Sequence, residues 1–284
     1  MIVVTGATGQ LGRLVVEGLL KKVPAAEVVA AVRDPAKAAE FAARGVQVRR
    51  ADYDDPASLA AAFAGADKVL LISSSTPGRR LAQHEAVIAA AGEAGVGHLA
   101  YTSVLAADTT KLSLAPDHKA TEEAIRASGV PFTFLRNGWY TENYAQTITQ
   151  ALAVGSFAGA AGEGKLGAVP RIDFAEAAVE VLTGEGHEGQ VYELAGDEPF
   201  GYADLAAAVT AASGTQVTYQ DLPVEQYRRI LVGAGLPEPV AAMLADADRG
   251  IAEGELASTS GDLRRLIGRP TTPLAEAVTA LVKN

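Results

Sequence analysis

Three glycines near the start of the chain have a type and spacing that predict a specific chemistry. Gly6, Gly9 and Gly12 follow the short apolar run 2–4 and precede a segment with apolar residues at helical spacing. In a strand–turn–helix of this kind, the first glycine makes the turn and the second lets the backbone approach a pyrophosphate. The third lets the helix pack closely on the strand. Because a helix N-terminus binds anions through its free N–H groups and its dipole, the segment predicts a dinucleotide site. The alternative is a purely structural turn.

Arg33 follows the second apolar run, 28–32, at the position where a dinucleotide fold meets the adenosine ribose. A guanidinium pairs with a 2′-phosphate through charge-assisted hydrogen bonds, whereas an acidic residue accepts from a free 2′-hydroxyl. Arg33 therefore favours NADP(H) over NAD(H). In the alternative, Asp34 takes the ribose and Arg33 is solvated. Asp52 either reaches the adenine or is a surface acid, and it is left out of the predicted site.

Two further polar segments follow apolar runs. Ser73, Ser74 and Ser75 follow the fourth run, and we expect them on the ribose and nicotinamide side of the cofactor, although serines there also form turns. The sixth run is followed by a polar, amide-rich and aromatic cluster, residues 136–144, where nicotinamide and substrate would meet. The alternative is a helix start capped by Asn137, with aromatic side chains packed in the core. Both interpretations can hold at once.

These segments need a sheet to bring them together. Apolar runs recur at 28–32, 46–48, 69–72, 99–101 and 132–135, separated by alanine-rich segments of helical periodicity. This alternation predicts an α/β chain with a doubly wound parallel sheet, the Rossmann fold, which binds ligands beyond the carboxyl ends of its strands. Past Asn137 the alternation loosens into a glycine-rich stretch, 155–167, short strand candidates at 191–194 and 217–219, and helices after Pro223.

From this change of pattern we predict two domains. Residues 1–150 form the dinucleotide-binding Rossmann domain, which recruits part of 168–195, and residues 151–284 form a smaller α/β C-terminal lobe on the substrate side.

Composition excludes several classes of function. Hydrophobic residues make up 49% of the 284, which is ample for a buried core, and the formal net charge of −10 argues against a nucleic-acid surface. The chain has no cysteine, and its four histidines lack a metal-ligand spacing, so thiolate and metal chemistry are not expected. We find neither a charged leader nor an apolar run long enough to span a bilayer, and we therefore expect a cytoplasmic protein.

Several catalytic motifs are missing. No Tyr-x-x-x-Lys occurs, although reductases of this fold class usually use one to protonate an alkoxide. Lys119 lies where such a lysine would fall, but Ala115 stands four residues earlier. Lys119 therefore either binds the nicotinamide ribose or is solvated. Whether Ser103, at the end of the fifth run, belongs to the site is equally open. The run 159–165 matches the first seven positions of a P-loop, but Leu166 replaces its Ser or Thr, and no strand precedes it with a clear helix after it, so ATP binding is not predicted.

Several spaced motifs resemble a known group of proteins. They are Thr-Gly-Ala-Thr-Gly-Gln-Leu-Gly at 5–12, Val-Arg-Asp-Pro at 32–35, Leu-Ile-Ser-Ser-Ser at 71–75, Ala-Tyr-Thr-Ser at 100–103, Leu-Arg-Asn-Gly-Trp-Tyr at 135–140 and Gly-Gln-Val-Tyr-Glu-Leu-Ala-Gly at 189–196. Over nearly the whole chain, the sequence resembles the NmrA-like atypical short-chain dehydrogenases, and within them the bacterial type 2 NAD(P)H:quinone oxidoreductases.

The resemblance implies NADPH as hydride donor, a small-molecule quinone as acceptor and a homodimer. It also implies cofactor contacts from the residues Gly6, Ala7, Thr8, Gly9, Gln10, Leu11, Arg33, Ser73, Ser74, Ser75, Asn137, Gly138, Trp139, Tyr140, Thr141, Glu142 and Arg171. The residues alone would have made Arg171 a surface charge beside Asp173.

We therefore hypothesise direct hydride transfer to the quinone without flavin or metal. Asn137, Tyr140 and Asn143 donate hydrogen bonds to a quinone carbonyl, and Tyr140, Asn143 and Lys119 are the candidate catalytic residues. The missing tyrosine–lysine pair is consistent with this chemistry, because a quinone is a good hydride acceptor whose reduced oxygens are weakly basic. The alternative is an NADP(H)-binding, redox-sensing regulatory protein of the NmrA type with little or no catalysis.

Overall fold

The computed structural model describes residues 1–76 and 78–283. The chain forms two compact units, each built from several segments: residues 1–107, 116–137 and 171–192 make the first unit, and residues 108–115, 138–170 and 193–284 make the second. The chain thus leaves the first unit at residues 108–115 and again after Asn137, and it returns at residues 116–137 and 171–192. The predicted domains stay predictions.

A seven-stranded sheet organises the first unit. Its strands are β1 (Ile2–Thr5), β2 (Val28–Val32), β3 (Gln47–Arg50), β4 (Lys68–Leu71), β5 (His98–Val104), β6 (Phe132–Asn137) and β8 (Gln190–Leu194). Their order in the sheet is β3-β2-β1-β4-β5-β6-β8, and every pairing from β3 to β6 is parallel. The predicted doubly wound parallel sheet is confirmed. Its order reverses between β1 and β4, which is where such sheets bind their ligands.

Helices cover this sheet because its central strands are buried on both faces: β1 and β2, for example, are buried at every residue. The helices of this part of the chain are α1 (Gln10–Leu19), α2 (Ala39–Ala42), α3 (Pro56–Phe63), α4 (Arg80–Glu93), α5 (Ala115–Ser128) and α7 (Arg171–Thr183). α1 packs closely on α7, since a Cβ built on Gly18 would lie 2.7 Å from a methyl group of Val179. Side chains of α3, α4 and α5 join the strands in one hydrophobic core.

The second unit has its own core around a small parallel sheet. Its strands are β7 (Ser156–Gly159) and β9 (Thr218–Asp221), and its helices are α6 (Ala145–Val154), α8 (Tyr202–Ser213), α9 (Val224–Gly233), α10 (Glu238–Ala252), α11 (Asp262–Ile267) and α12 (Leu274–Lys283). The sequence analysis missed β7. β7 ends at the first residue of the run 159–165, but no α-helix follows directly, because the next one begins only at Arg171.

Candidate cofactor-binding site

The glycine turn has the geometry that the motif predicts. β1 ends at Thr5, Gly6 has a φ of +57°, and the Gly9 N–H donates to the Gly6 carbonyl at 2.8 Å. α1 begins at the next residue, with Gly9 as its N-cap. A Cβ on Gly12 would lie 2.3 Å from the Gly6 oxygen, so the helix approaches the strand more closely than any side chain allows. The helix N-terminus therefore presents its unsatisfied N–H groups at the carboxyl end of β1.

A cleft of about 1000 Å³ opens at this turn. It is lined by residues that follow β1, β2, β3 and β4, together with two helical side chains: Gly6, Thr8, Gly9, Arg13, Val32, Arg33, Asp34, Lys37, Ala51, Asp52, Tyr53, Ile72, Ser73, Ser74, Ser75, Thr76 and Gln83. Three sequence-predicted segments, the glycine turn, Arg33 and the three serines, are therefore brought together in the first unit. Ala7, Leu11 and Gly12 are buried behind the turn, and Gln10 is exposed at the first residue of α1.

Two cationic side chains that follow β2 line the cleft. Arg33 is exposed directly after β2, and Lys37 lines the same cleft. Asp34, the alternative ribose ligand, is partly engaged, because its Oδ1 accepts the Ala36 N–H at 3.1 Å and caps the 3₁₀ turn Pro35–Ala38. Arg33 and Lys37 thus offer two positive charges to a ligand in the cleft, whereas the Asp34 carboxylate already accepts a hydrogen bond from the 3₁₀ turn.

Tyr53 is a lining residue that the sequence analysis did not select. Its hydroxyl shares its single hydrogen between Thr5 Oγ1 and the Ile72 carbonyl, which ties together the carboxyl ends of β1 and β4. Burial raises the pKa of Tyr53, so the phenol remains a neutral donor. Its position just after the third strand was the feature of the sequence that could have identified it as a lining residue. Gln83 has no such feature, because it comes from the first turn of α4.

Ser103 and Arg136 have structural partners. β5 and β6 extend through polar residues beyond the apolar runs, so both side chains lie within the sheet rather than after it. The Ser103 hydroxyl donates to Glu122 Oε1 at 2.7 Å, and Arg136 binds the same carboxylate through Nε at 2.9 Å and Nη2 at 2.7 Å. Asn137 is the last residue of β6 and is 5% exposed.

The predicted substrate-side segment begins in the second unit at Gly138. Its backbone is held at both ends: the Gly138 N–H donates to Leu194 O at 2.8 Å, and the Thr141 N–H donates to Val169 O at 3.1 Å. Trp139, Tyr140 and Glu142 are half-buried, Thr141 is buried, and Asn143 is exposed. Lys119, exposed on α5, and Arg171, the first residue of α7, both belong to the first unit. The cofactor and substrate contacts of all these residues stay predictions.

A buried hydrogen-bonded chain follows this segment in the second unit. Tyr144 donates to the Tyr202 hydroxyl at 3.3 Å, and Tyr202 donates to Asp248 Oδ1. Asp248 Oδ2 accepts the Ala160 N–H at 2.7 Å. Burial raises the pKa of Asp248 to about 6, and none of the cationic side chains among residues 1–76 and 78–283 pairs with it.

The described residues contain neither a metal-binding cluster nor a membrane-spanning helix. Among residues 1–76 and 78–283, no group of three or more His, Asp or Glu side chains is arranged to hold a metal ion. In the same part of the chain, no helix combines the length and apolarity needed to cross a membrane.

Comparisons with known proteins agree with this geometry. A family described as NAD(P)H-binding matches residues 6–185. Quinone oxidoreductase 2 of Escherichia coli is 52% identical over 281 residues, which cover 99% of this chain and 98% of the relative.

Two solved structures superpose over almost the whole chain. The NADPH-dependent quinone oxidoreductase of Escherichia coli in complex with NADPH has a TM-score of 0.97 at 52% identity, covering 99% of this chain and 100% of that one. The Citrobacter sp. triphenylmethane reductase complexed with NADP(H) has a TM-score of 0.95 at 43% identity, with the same coverage of both chains. The chain therefore belongs to the NAD(P)H-binding, NmrA-like family.

Proposed function

We propose that this protein is an oxidoreductase that uses NADPH to reduce a quinone by direct hydride transfer, without flavin or metal. The observation that carries the proposal is the glycine turn opening into a cleft of about 1000 Å³ that Arg33 and Lys37 also line. The size of this cleft suits a dinucleotide, since small-molecule sites span about 300–1,000 Å³. The similarity of the whole chain to a quinone oxidoreductase supports quinone as the substrate class.

The residues of the cleft fit NADPH in two separate ways. The N-terminus of α1 would bind the pyrophosphate, and the absence of a Cβ at Gly12 leaves the backbone turn compact enough for this approach. Arg33, with Lys37, would pair with the 2′-phosphate that distinguishes NADPH from NADH. When bound, NADPH supplies the hydride.

The substrate side of the proposal rests on hydrogen-bond donors. Tyr140, Asn143 and Asn137 would donate to a quinone carbonyl as negative charge develops on it, and Lys119 would hold the nicotinamide ribose. A strong general acid is not needed, because the oxygens of a reduced quinone are weakly basic. Holding donor and acceptor in contact is then the main catalytic contribution, which can reach about 7–11 kcal/mol in favourable cases. We also propose, on the family resemblance alone, a cytoplasmic homodimer.

Turnover of the purified protein tests the proposal directly. With NADPH and 1,4-benzoquinone, we expect quinone-dependent oxidation of NADPH that survives a metal chelator, from protein whose absorption spectrum has no flavin band. If NADPH and NADP⁺ bind with similar affinity and no quinone in a panel is reduced, the protein is a redox-sensing regulator and the proposal is wrong.

Arg33→Ala tests the cofactor assignment. A charge-assisted hydrogen bond contributes about 1.5–3 kcal/mol, so NADPH affinity should fall about 10- to 100-fold while NADH affinity changes little. Arg50→Ala is the matched control, since Arg50 is also exposed at a strand end but pairs with Asp55 at 2.6 Å and does not line the cleft. Equal losses for NADPH and NADH would exclude the 2′-phosphate contact.

A further inference from the structure

Ser74 is held in an unusual way. Each of its three polar groups is bound by a different side chain from the start of α4: the Arg80 Nε donates to the Ser74 carbonyl at 2.8 Å, Gln83 Oε1 accepts from the Ser74 hydroxyl, and His84 Nε2 accepts the Ser74 N–H at 2.8 Å. The Ser74 hydroxyl is therefore already committed as a donor. We call residues Arg80, Gln83 and His84 the serine clamp.

The hydrogen bonds of His84 determine which nitrogen carries its proton. His84 is fully buried, and its Nδ1 lies 2.9 Å from Thr121 Oγ1. The Thr121 hydroxyl donates its hydrogen to the Asp117 carbonyl at 2.7 Å, so it must accept from Nδ1–H. Nε2 is then unprotonated, as the Ser74 N–H requires.

The surroundings of His84 keep it in this neutral form. Burial, with the positive charge of Arg80, lowers the pKa of His84 to about 3. The other titratable groups that face the ring are Tyr101 at 5.3 Å and Tyr53 at 6.4 Å between ring centroids, and His118, whose pKa is also lowered to about 3. Protonation would replace the acceptor at Nε2 with a second donor, so a neutral imidazole is the form that can hold the loop.

The clamp acts on the loop that lines the cofactor cleft. Ser73, Ser74 and Ser75 all line it, and the Ser73 N–H is fixed as well, by Thr102 Oγ1 at 2.8 Å. Neither Arg80 nor His84 lines the cleft, so neither is placed to touch a ligand there. We propose that His84 and Arg80 are positioning residues that fix the Ser73–Ser75 backbone for NADPH binding, an inference that rests on the proposed function.

Three variants separate positioning from mere structural support. His84→Leu removes the acceptor at roughly constant volume, whereas His84→Gln can place its amide oxygen where Nε2 lies. His98→Leu is the matched control, because His98 is another buried histidine of the first unit, 2% exposed, bonded to Thr133 at 2.7 Å and absent from the cleft. NADPH affinity by fluorescence titration and the unfolding midpoint are measured for each.

The loss of one hydrogen bond predicts about tenfold weaker NADPH binding for His84→Leu, and His84→Gln should stay within about threefold of the wild type. His98→Leu should lower the unfolding midpoint without changing NADPH affinity. If His84→Leu binds NADPH as tightly as the wild type, or if His98→Leu loses as much affinity, the proposal is overturned.

A fourth variant, Arg80→Met, tests the proposal if His84→Leu does not fold. Arg80→Met removes the donor to the Ser74 carbonyl from a half-buried side chain, and about three- to tenfold weaker NADPH binding is expected. Unchanged affinity in Arg80→Met would then overturn the inference. Failure of the wild-type protein to bind NADPH would instead contradict the proposed function itself.

Discussion

Glu122 in the first unit and Asp248 in the second are both buried carboxylates, but they are compensated in different ways. Glu122, in the first unit, is 2% exposed and receives two hydrogen bonds from Arg136 and one from Ser103. Asp248, in the second unit, is 4% exposed and receives one hydrogen bond from the phenol of Tyr202 and one from a backbone N–H. Both have hydrogen-bond donors, but Glu122 also has a buried cation.

The comparison shows that satisfying hydrogen bonds and neutralising charge are separate tasks. Hydrogen-bond donors reduce the cost of burying a carboxylate, but without a cation the pKa of the buried group is still raised. For Asp248, the negative charge of Asp221 raises it further. The first unit therefore contains a charge pair that is costly to break. The second contains a carboxyl group whose protonation state changes within an ordinary working pH range.

Arg136→Met breaks the charge pair and should have the largest effect. An uncompensated buried charge costs about 3–5 kcal/mol, so the free energy of unfolding should fall by that amount in urea titrations at neutral pH. Arg126→Met is the control: Arg126 also approaches Glu122, at 3.5 Å, but is 45% exposed, and we expect a loss below about 1 kcal/mol. Similar losses in both variants would mean that the bidentate pair has no special weight.

Asp248→Asn tests the second carboxylate through pH. The folded pKa of about 6 lies above the ordinary value of 3.8, so the associated stability is complete below pH 3.8 and is lost as pH rises through 6. The difference predicts that Asp248→Asn gains about 3 kcal/mol relative to the wild type between pH 4 and pH 7.

Asp246→Asn is the control on the same helix. The pKa of Asp246 is lowered, through its hydrogen bonds from Ser113 and Arg249, although burial opposes this. This variant should therefore lose stability relative to the wild type over the same interval. Parallel pH curves for the wild type and Asp248→Asn would contradict the assignment.

In the first unit, His84 makes the free energy of unfolding depend on pH in the opposite direction. His84 is neutral when buried and has a folded pKa of about 3, so below its ordinary value of 6.5 only the unfolded state takes up its proton. From pH 7 to pH 5, His84→Gln should therefore gain about 2 kcal/mol relative to the wild type in unfolding titrations. A constant difference between the two proteins would show that His84 is not held neutral.

Tyr202→Phe should have the smallest effect of the four. Removing the phenol takes a donor from Asp248, which should raise the pKa of that carboxyl further and cost about 1.5 kcal/mol at pH 7. Tyr144→Phe, one hydrogen bond further from the carboxylate at 3.3 Å, should cost less. Unfolding titrations at pH 7 compare them, and an equal or larger loss in Tyr144→Phe would contradict this order.

The glycine turn, Arg33 and the serine loop were predictable because each depends on a local pattern at the end of a strand. The ends of β5 and β6 were not, because Ser103 and Arg136 are polar residues buried by binding Glu122, and hydrophobic runs do not show such partners. β7 was missed because it has only four residues, of which Phe157 is the one large apolar side chain. The Tyr202–Asp248 bond joins residues 46 positions apart, which no local pattern indicates.

The missing methyl group at Gly12 has a consequence for how this protein can change over generations. Even alanine there would meet the Gly6 oxygen at 2.3 Å and the Ala7 Cα at 2.8 Å, so the turn tolerates no gradual replacement. Arg33, by contrast, is exposed after the end of β2, and many side chains fit there. A lineage can therefore vary the side chain after β2, where we propose the contact with the 2′-phosphate, without disturbing the turn that we propose binds the pyrophosphate.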